Sequence, residues 1–337
     1  MKNISKILVF MMFAMCSIAA GELNLYTSRH YPVDKEILKD FEKESGIKVN
    51  LVYIKKASQL IERLKIQKEK AGADIILTVD VGNLWKAASY NLLQPLKMKE
   101  LDSAIPSHLK DKNDLWAAIS VRARVLAVNK SKIDPSTITT YEQLNDEKYK
   151  DKILIRSSSN VYNQSLIASM VANNGEEKTS KWLKGFVKNF ARKPQGGDRD
   201  QLRAMGNGQG AIAVVNSYYA GKMWASKKES DIKVMKDVEL IFPNQSGRGA
   251  HINISGLGIG KYAPNLENAR TFIKYMISKK AQKQFAEANF EFPARKDVKI
   301  TGLMAKFQDM KFDQLSLTKI GENTPKAIKL MDLASWR

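Results

Sequence analysis

The sequence predicts a two-lobed α/β protein in which parallel strands are covered by helices. Strand and helix patterns alternate from residue 23 onward, which is typical of a sheet with helices on both faces. The chain has 337 residues, a length that suits two lobes better than one core. Residues 115–129 form an extended stretch without a breaker, which is long for one strand and predicts a connector between two sheets.

The first 20 residues are predicted to be a secretory signal peptide. Lys2 and Lys6 precede an uncharged apolar run at residues 7–15, and small residues follow at 17–20. The run is too short to span a bilayer. A buried N-terminal helix is the alternative interpretation. We therefore expect an exported protein.

The only cysteine, Cys16, lies inside this leader. Cleavage after residue 19 or 20 leaves a mature chain without a thiol, which excludes disulfides, thiolate metal sites and cysteine nucleophiles. Cleavage just before Cys16 would instead give a lipoprotein, a pattern that residues 13–15 fit poorly.

The elements of the first α/β set follow from apolar spacing and from helix start and stop residues. Pro32 suits the first turn of a helix, where its missing N–H is not needed, and Gly46 suits the end of that helix. The predicted strands are residues 23–26, 47–54 and 74–78, and the predicted helices begin at Pro32, near Leu60 and at Asn83.

A second α/β set follows the connector. Strand patterns occur at 152–155, 211–215, 238–242 and 253–259, and helix patterns at 162–172, 176–190 and 198–205. The last of these strands is expected to return the chain to the first lobe. A further helix begins after Pro264, with Asn265 as its predicted cap and apolar residues at i, i+3, i+4 and i+7 spacing.

Composition and motifs argue against nucleic-acid binding and against catalysis. The formal net charge is +20, or +18 after loss of Lys2 and Lys6, but the lysines are dispersed and no basic arm occurs. None of the three histidines adjoins a nucleophile motif. Gly256, Gly258 and Gly260 lack dinucleotide-binding spacing and are interpreted as strand glycines that permit close packing. The chain is therefore predicted not to be an enzyme.

The tyrosines carry the strongest signal for a binding site. Tyr53, Tyr262 and Tyr275 lie in apolar patterns typical of a core. The pairs Tyr218-Tyr219 and His30-Tyr31 instead stand at strand–helix turns, where ligand sites of α/β proteins gather. Phenolate is a hard anionic donor that matches Fe(III). A bound cation would expel the phenol protons, since a free phenol has a pKa of about 10.

At these residues the sequence resembles the periplasmic ferric-iron-binding proteins of ABC transporters, and most closely the tyrosine-rich, cyanobacterial-type branch. The resemblance covers nearly the whole mature chain. The blocks that carry it are Leu25 to Tyr31 (LYTSRHY), Ala73 to Asp80 with Gly82 to Trp85, Ser120 to Val125 (SVRARV) and Asn216 to Tyr219 (NSYY).

The resemblance implies the two-lobed type II periplasmic solute-binding fold, with two crossover strands as hinge. Residues 21–120 and 247–296 are then expected to form lobe 1, and residues 121–246 and 297–337 lobe 2. It further implies a periplasmic, monomeric protein of iron transport that binds Fe(III), bare or as a chelate, between the lobes. The expected partner is an inner-membrane permease with its ATPase.

The same resemblance implies the site residues. The implied metal ligands are His30, Tyr31, Tyr162, Tyr218 and Tyr219, with Arg122 beside the site as a charge that offsets the phenolates. His30 is the weakest of these, because it ligates iron in only some members. Another branch uses a glutamate whose matching position here is Val79. Asp80, one step later, is expected to point away, so no carboxylate ligand is expected.

Two alternatives compete with ferric iron. The same fold could bind a polyamine, thiamine, sulfate or a small organic acid, but none of these ligands requires adjacent phenols. An exported hydrolase would need a nucleophile and base that the sequence does not show.

Overall fold

In the computed structural model, which describes residues 21–337, ten strands lie in two sheets that share one strand. The predicted signal peptide lies outside the described residues. The strands are β1 Glu22–Thr27, β2 Lys48–Tyr53, β3 Ile75–Val79, β4 Leu93–Gln94, β5 Ala117–Asn129, β6 Ile153–Leu154, β7 Ile212–Asn216, β8 Val238–Ile241, β9 Ile252–Gly260 and β10 Phe292–Pro293.

Twelve α-helices within the same residues cover these sheets. They are α1 Pro32–Ser45, α2 Ala57–Gln67, α3 Val81–Ser89, α4 Lys99–Ala104, α5 Val161–Asn174, α6 Glu176–Lys188, α7 Asp198–Gly206, α8 Ser217–Trp224, α9 Glu229–Lys236, α10 Leu266–Met276, α11 Lys279–Asn289 and α12 Leu317–Leu333.

The two sheets define two lobes joined by β5. Its first half pairs with β9 and β10 in the sheet that also holds β1 to β4, here called the first lobe. Its second half pairs with β7 and β8, which with β6 form the sheet of the second lobe. The predicted connector at residues 115–129 is thus confirmed as a single crossover strand. The exact lobe boundaries stay a prediction.

β9 brings the chain back into the first lobe, as expected. It runs antiparallel to both β3 and β5, so the first sheet is mixed rather than wholly parallel. A side chain at Gly260 would collide with the backbone carbonyl of Ala73, and one at Gly256 would lie 2.8 Å from the carbonyl oxygen of Ala117. These close approaches confirm the packing role predicted for the strand glycines.

Helix α1 forms as its sequence predicts. Pro32 is its first residue, and Gly46 ends it in the left-handed conformation with φ 70°. Val33, Ile37 and Phe41 fall on one face and are buried against the core. This placement fixes the turn between β1 and α1, where His30 and Tyr31 lie.

Three details differ from the sequence prediction. Asn265 occupies the cap position of α10, but its amide groups donate to Asp74 instead of its side chain accepting from the helix. Tyr53 and Tyr262 are about half exposed, at 47% and 48%, so their assignment to the core is wrong. The chain passes near the surface at both positions, and apolar neighbours in sequence do not reveal that.

The last helix, α12, had no counterpart in the prediction. It packs on both α3 of the first lobe and α5 of the second. Gly321 permits this, since a Cβ there would lie 2.5 Å from the Trp85 side chain. Among residues 21–337, no helix combines the length and apolar character that a membrane crossing requires.

Candidate metal centre

Three helix N-termini converge between the lobes, and each presents a tyrosine. Tyr31 immediately precedes α1, Tyr162 is the second residue of α5, and Tyr218 and Tyr219 follow the first residue of α8. A helix N-terminus carries a partial positive charge, which favours anionic groups in its first turn. We call Tyr31, Tyr162, Tyr218 and Tyr219 the tyrosine cluster.

The phenol groups of this cluster meet across the two lobes. The hydroxyls of Tyr31 and Tyr218 are 2.9 Å apart, with one donating to the other. The rings of Tyr218 and Tyr219 lie almost in contact, with centroids 4.1 Å apart. The Arg122 guanidinium lies 5.8 Å from the ring centroid of Tyr162 and 6.0 Å from that of Tyr218. Tyr162 therefore lies near the same positive charge as Tyr218.

Buried polar contacts hold the second-lobe tyrosines in place. Asp198 accepts from the backbone N–H of Asn216, just before α8, at 2.8 Å. Arg124 donates to Asp198, to the Asn216 side chain and, at 2.7 Å, to Asn163 beside Tyr162. One guanidinium therefore fixes the starts of both α5 and α8 relative to each other.

A different network holds Tyr31. Asp34 accepts from the backbone N–H of Tyr31 at 2.9 Å and from Arg29 at 2.7 Å. The other end of Arg29 donates to Glu291 at 2.8 Å and to Ser255 at 2.5 Å. Arg29 also lies 4.6 Å from the Tyr31 ring centroid, which places a positive charge against that ring.

Burial keeps three phenols of the cluster protonated in the absence of a cation. Burial, together with the neighbouring tyrosines, raises the pKa of Tyr31 and of Tyr218 well above the usual value of a phenol. Burial likewise raises the pKa of Tyr219 above its usual value. Without a bound cation these three side chains are therefore neutral.

Arg122 is the permanent charge at the centre of the site. It is fully buried on β5, donates to Ser255 at 2.9 Å and approaches Glu291 at 3.7 Å. Burial lowers the pKa of Arg122, but Glu291 and the tyrosines outweigh this and raise it above its usual value. Its Nε and Nη1 have no hydrogen-bond partner among the described residues, so they remain available to developing phenolates.

Two further cations border the tyrosine cluster. The Lys222 Nζ lies 4.4 Å from the Tyr31 ring centroid and 5.1 Å from that of Tyr218, and burial lowers its pKa to about 8. Arg156 lies 5.5 Å from the Tyr162 ring and 3.5 Å from Asp198. The cluster is thus lined with positive charge, which suits anionic phenolates rather than an organic cation.

The other candidates lie outside this arrangement. His30 is exposed at the rim, where its ring stacks on that of Tyr31 at 5.4 Å. Asp80 points elsewhere, as expected, and binds Ser165 and Asn253. No group of three or more His, Cys, Asp or Glu residues able to hold a metal occurs within residues 21–337.

Three residues around the cluster, Lys222, Arg29 and Glu291, were not predicted from the sequence. Lys222 stands four positions after Tyr218 on α8, so helical spacing predicts that both share a face. Arg29 is next to His30 in sequence. Glu291 is 262 positions from its partner Arg29, and no local pattern indicates that contact.

Residues 71–316 match the family model described as bacterial extracellular solute-binding protein. Iron uptake protein A1 of Synechocystis sp. is 43% identical over 316 residues, which cover 94% of this chain and 88% of that protein.

Solved structures give the same result. A Trichodesmium structure, named IdiA and FutA and described as a complex with iron and citrate ligands, is 45% identical with a TM-score of 0.90. The match covers 94% of this chain and 100% of the Trichodesmium chain. The ferric binding protein from Campylobacter jejuni is 42% identical with a TM-score of 0.87, with the same two coverages. These likenesses confirm the predicted two-lobed solute-binding fold.

Proposed function

Because the chain belongs to the bacterial extracellular solute-binding proteins, in the branch that contains the iron uptake proteins, we propose that it binds Fe(III) for transport into the cell. The ligands are the phenolates of Tyr31, Tyr162, Tyr218 and Tyr219. The observation that carries this proposal is the meeting of Tyr31, Tyr162 and Tyr218, all buried, around Arg122, with the partly buried Tyr219 against Tyr218. The likeness to a protein solved with iron and citrate supports it.

The charges of the site suit ferric iron. Phenolate oxygen is a hard donor, and Fe(III) is a hard acid. Four phenolates bring one negative charge more than a trivalent ion neutralises, and Arg122 offsets that excess in a buried site. Fe(II) would leave a larger uncompensated charge and is therefore bound less tightly.

Capture proceeds by closure of the lobes. Three phenols belong to the second lobe and bind the ion first, and Tyr31 then reaches it from the first lobe. The 2.9 Å distance between the Tyr31 and Tyr218 hydroxyls supports a role for both phenols at one ion. Each bond from the first lobe favours the closed state over the open one.

The protein acts as a binding protein rather than an enzyme. It is exported to the periplasm as a monomer and, once closed around iron, docks on an inner-membrane permease with its own ATPase. Relatives described as periplasmic or extracellular binding proteins support this role. Opening of the cleft, reduction to Fe(II) or protonation of the phenolates then releases the iron.

A visible absorption spectrum tests the proposal. The purified mature protein is titrated with ferric citrate and then treated with dithionite. A reddish phenolate-to-iron charge-transfer band that dithionite bleaches is the expected result. Absence of the band at saturating iron would overturn ferric binding and redirect the search to organic solutes such as polyamines or thiamine.

A further inference from the structure

A buried carboxylate away from the tyrosine cluster links the two lobes. Asp80 lies between β3 and α3 in the first lobe, and its side chain is about 1% exposed. Its backbone has φ 74°, a conformation that is strained for any residue with a side chain. Strain of this kind persists only where the surroundings enforce it and is found at sites with a function.

The hydrogen bonds that the Asp80 carboxylate accepts come from two buried side chains and one backbone N–H group. The Ser165 hydroxyl lies 2.9 and 2.8 Å from its two oxygens. The Asn253 amide donates at 2.6 Å, and the backbone N–H of Gly82 donates at 2.8 Å. Asp80 is therefore held by the second lobe through Ser165 and by the first-lobe strand β9 through Asn253.

Asn253 also fixes the start of α3. Its side-chain oxygen accepts from the backbone N–H groups of Val81 at 3.0 Å and of Ile254 at 2.7 Å. The bonds of Asp80 to Gly82 and Asn253 thus lie within the first lobe. The bond from Ser165 crosses to the second lobe, so a separation of the lobes would break it and leave the other two intact.

Ser165 connects this contact to the tyrosine cluster. It lies three positions after Tyr162 on α5, so both side chains project from the same face of the helix. When Ser165 is held against Asp80, α5 is fixed at the start of α3 and Tyr162 is fixed in the cleft. No side chain in this contact belongs to the tyrosine cluster.

We propose that Asp80, Ser165 and Asn253 form a clasp that stabilises the closed lobes and slows the release of iron. The clasp rests on the proposed function for its cargo, but its contacts do not involve the bound ion. Ser165 is a positioning residue here, since it acts through α5 and does not touch the ion.

The charge of Asp80 gives the clasp its strength. Burial raises the pKa of Asp80 to about 6, while the bonds from Ser165 and Gly82 oppose that rise. The group is therefore mainly ionised at pH 7. A hydrogen bond to an ionised group contributes enough that its loss speeds opening on the order of tenfold.

The test compares Ser165→Ala with Ser169→Ala in the full mature protein. Ser169 lies one turn further along α5 and is also buried, so it controls for loss of a hydroxyl from that helix. Release of iron to excess chelator is followed by decay of the charge-transfer band, and the radius of gyration of the iron-free protein is measured by small-angle X-ray scattering. Thermal unfolding reports on the fold of each variant.

We expect Ser165→Ala to release iron about tenfold faster and to have a larger iron-free radius of gyration, with the band at an unchanged wavelength. Ser169→Ala should match the wild type. Asp80→Asn should also speed release, and adding it to Ser165→Ala should have little further effect, because both break the same contact.

Wild-type release and wild-type scattering of Ser165→Ala would overturn the clasp, as would fully additive effects of the two substitutions. If the wild type shows no charge-transfer band, the proposed cargo is wrong, but the scattering comparison still decides on the clasp. Equal radii of gyration would then overturn it.

Discussion

The two lobes contribute to the tyrosine cluster in unequal ways. The second lobe supplies Tyr162, Tyr218 and Tyr219 from the starts of two helices that Arg124 ties together. The first lobe supplies Tyr31 alone, held through Asp34 and flanked by the exposed His30. In the proposed site, one lobe therefore presents an assembled half-site of three phenols, and the other presents a single ligand on a turn.

This difference indicates a division of labour between capture and retention. In the proposed mechanism the three second-lobe phenols take up iron first, and a half-site held by buried contacts costs little ordering entropy when iron arrives. The first lobe would then add one ligand and the Asp80 side of the proposed clasp on closure. Substitutions of the second-lobe tyrosines should thus abolish iron binding, and substitutions in the first lobe should shorten the lifetime of the iron complex.

The largest loss of ferric affinity is expected when both α8 tyrosines are replaced. The double substitution Tyr218→Phe and Tyr219→Phe takes away two of the four phenolates and should weaken ferric binding on the order of 10⁴-fold, since even supporting residues of metal sites contribute ten- to a hundredfold. Chelator competition measures the affinity, and circular dichroism checks the fold.

Tyr149→Phe is the matched control for this pair. Its hydroxyl is buried without a hydrogen-bond partner among the described residues, and it lies outside the cluster. It should leave ferric affinity unchanged. Unchanged affinity in the double variant would instead show that the half-site is assigned to the wrong residues.

Ferric affinity should decrease as pH is lowered, through tyrosines of both lobes. Tyr31, Tyr218 and Tyr219 have raised pKa values, so each must lose a proton when it binds iron at neutral pH. These three phenols alone release three protons, so the affinity should fall by at least about a thousandfold for each unit by which pH is lowered. Competition titrations at several pH values, corrected for protonation of the chelator, give this slope. A dependence of one proton or less would contradict phenolate ligation.

Removal of the first-lobe ligand should have a smaller effect. Tyr31→Phe eliminates one phenolate and the Tyr31–Tyr218 hydrogen bond, and we expect an affinity loss of about a hundredfold with a persistent charge-transfer band. The variant should release iron faster and scatter as a more open particle. Tyr53→Phe, an exposed neighbour of His30, is the control. A loss equal to that of the α8 pair would remove the distinction between the lobes.

Local sequence patterns predicted the parts of this molecule that depend on neighbouring residues. The turn after β1 and the turn after β7 follow from Pro32, Gly46 and strand periodicity, and they place Tyr31 and Tyr218 at the cleft. The crossover strand was predictable because the unbroken stretch at residues 115–129 is longer than one ordinary strand. Tyr162 lies at no comparable turn signal and was assigned only from the family resemblance.

The rest of the site depends on contacts between distant segments. Glu291 pairs with Arg29 and Arg122, and Ser165 pairs with Asp80, across 85 or more positions. Single-sequence periodicity carries no information on such pairs. The same limit explains α12, whose two-sided packing becomes evident only when Gly321 is seen against Trp85.

The smallest expected effect concerns the imidazole at the rim of the first lobe. His30 stacks on Tyr31 with ring centroids 5.4 Å apart and is exposed, so His30→Ala should lower ferric affinity by no more than about threefold, the size of an exposed aromatic contact. Chelator competition and the position of the charge-transfer band are the measurements. If closure around iron instead turned His30 into the coordination shell, the variant would lose at least about tenfold in affinity and its band would shift. The first lobe would then contribute two ligands, and the inequality between the lobes would largely disappear.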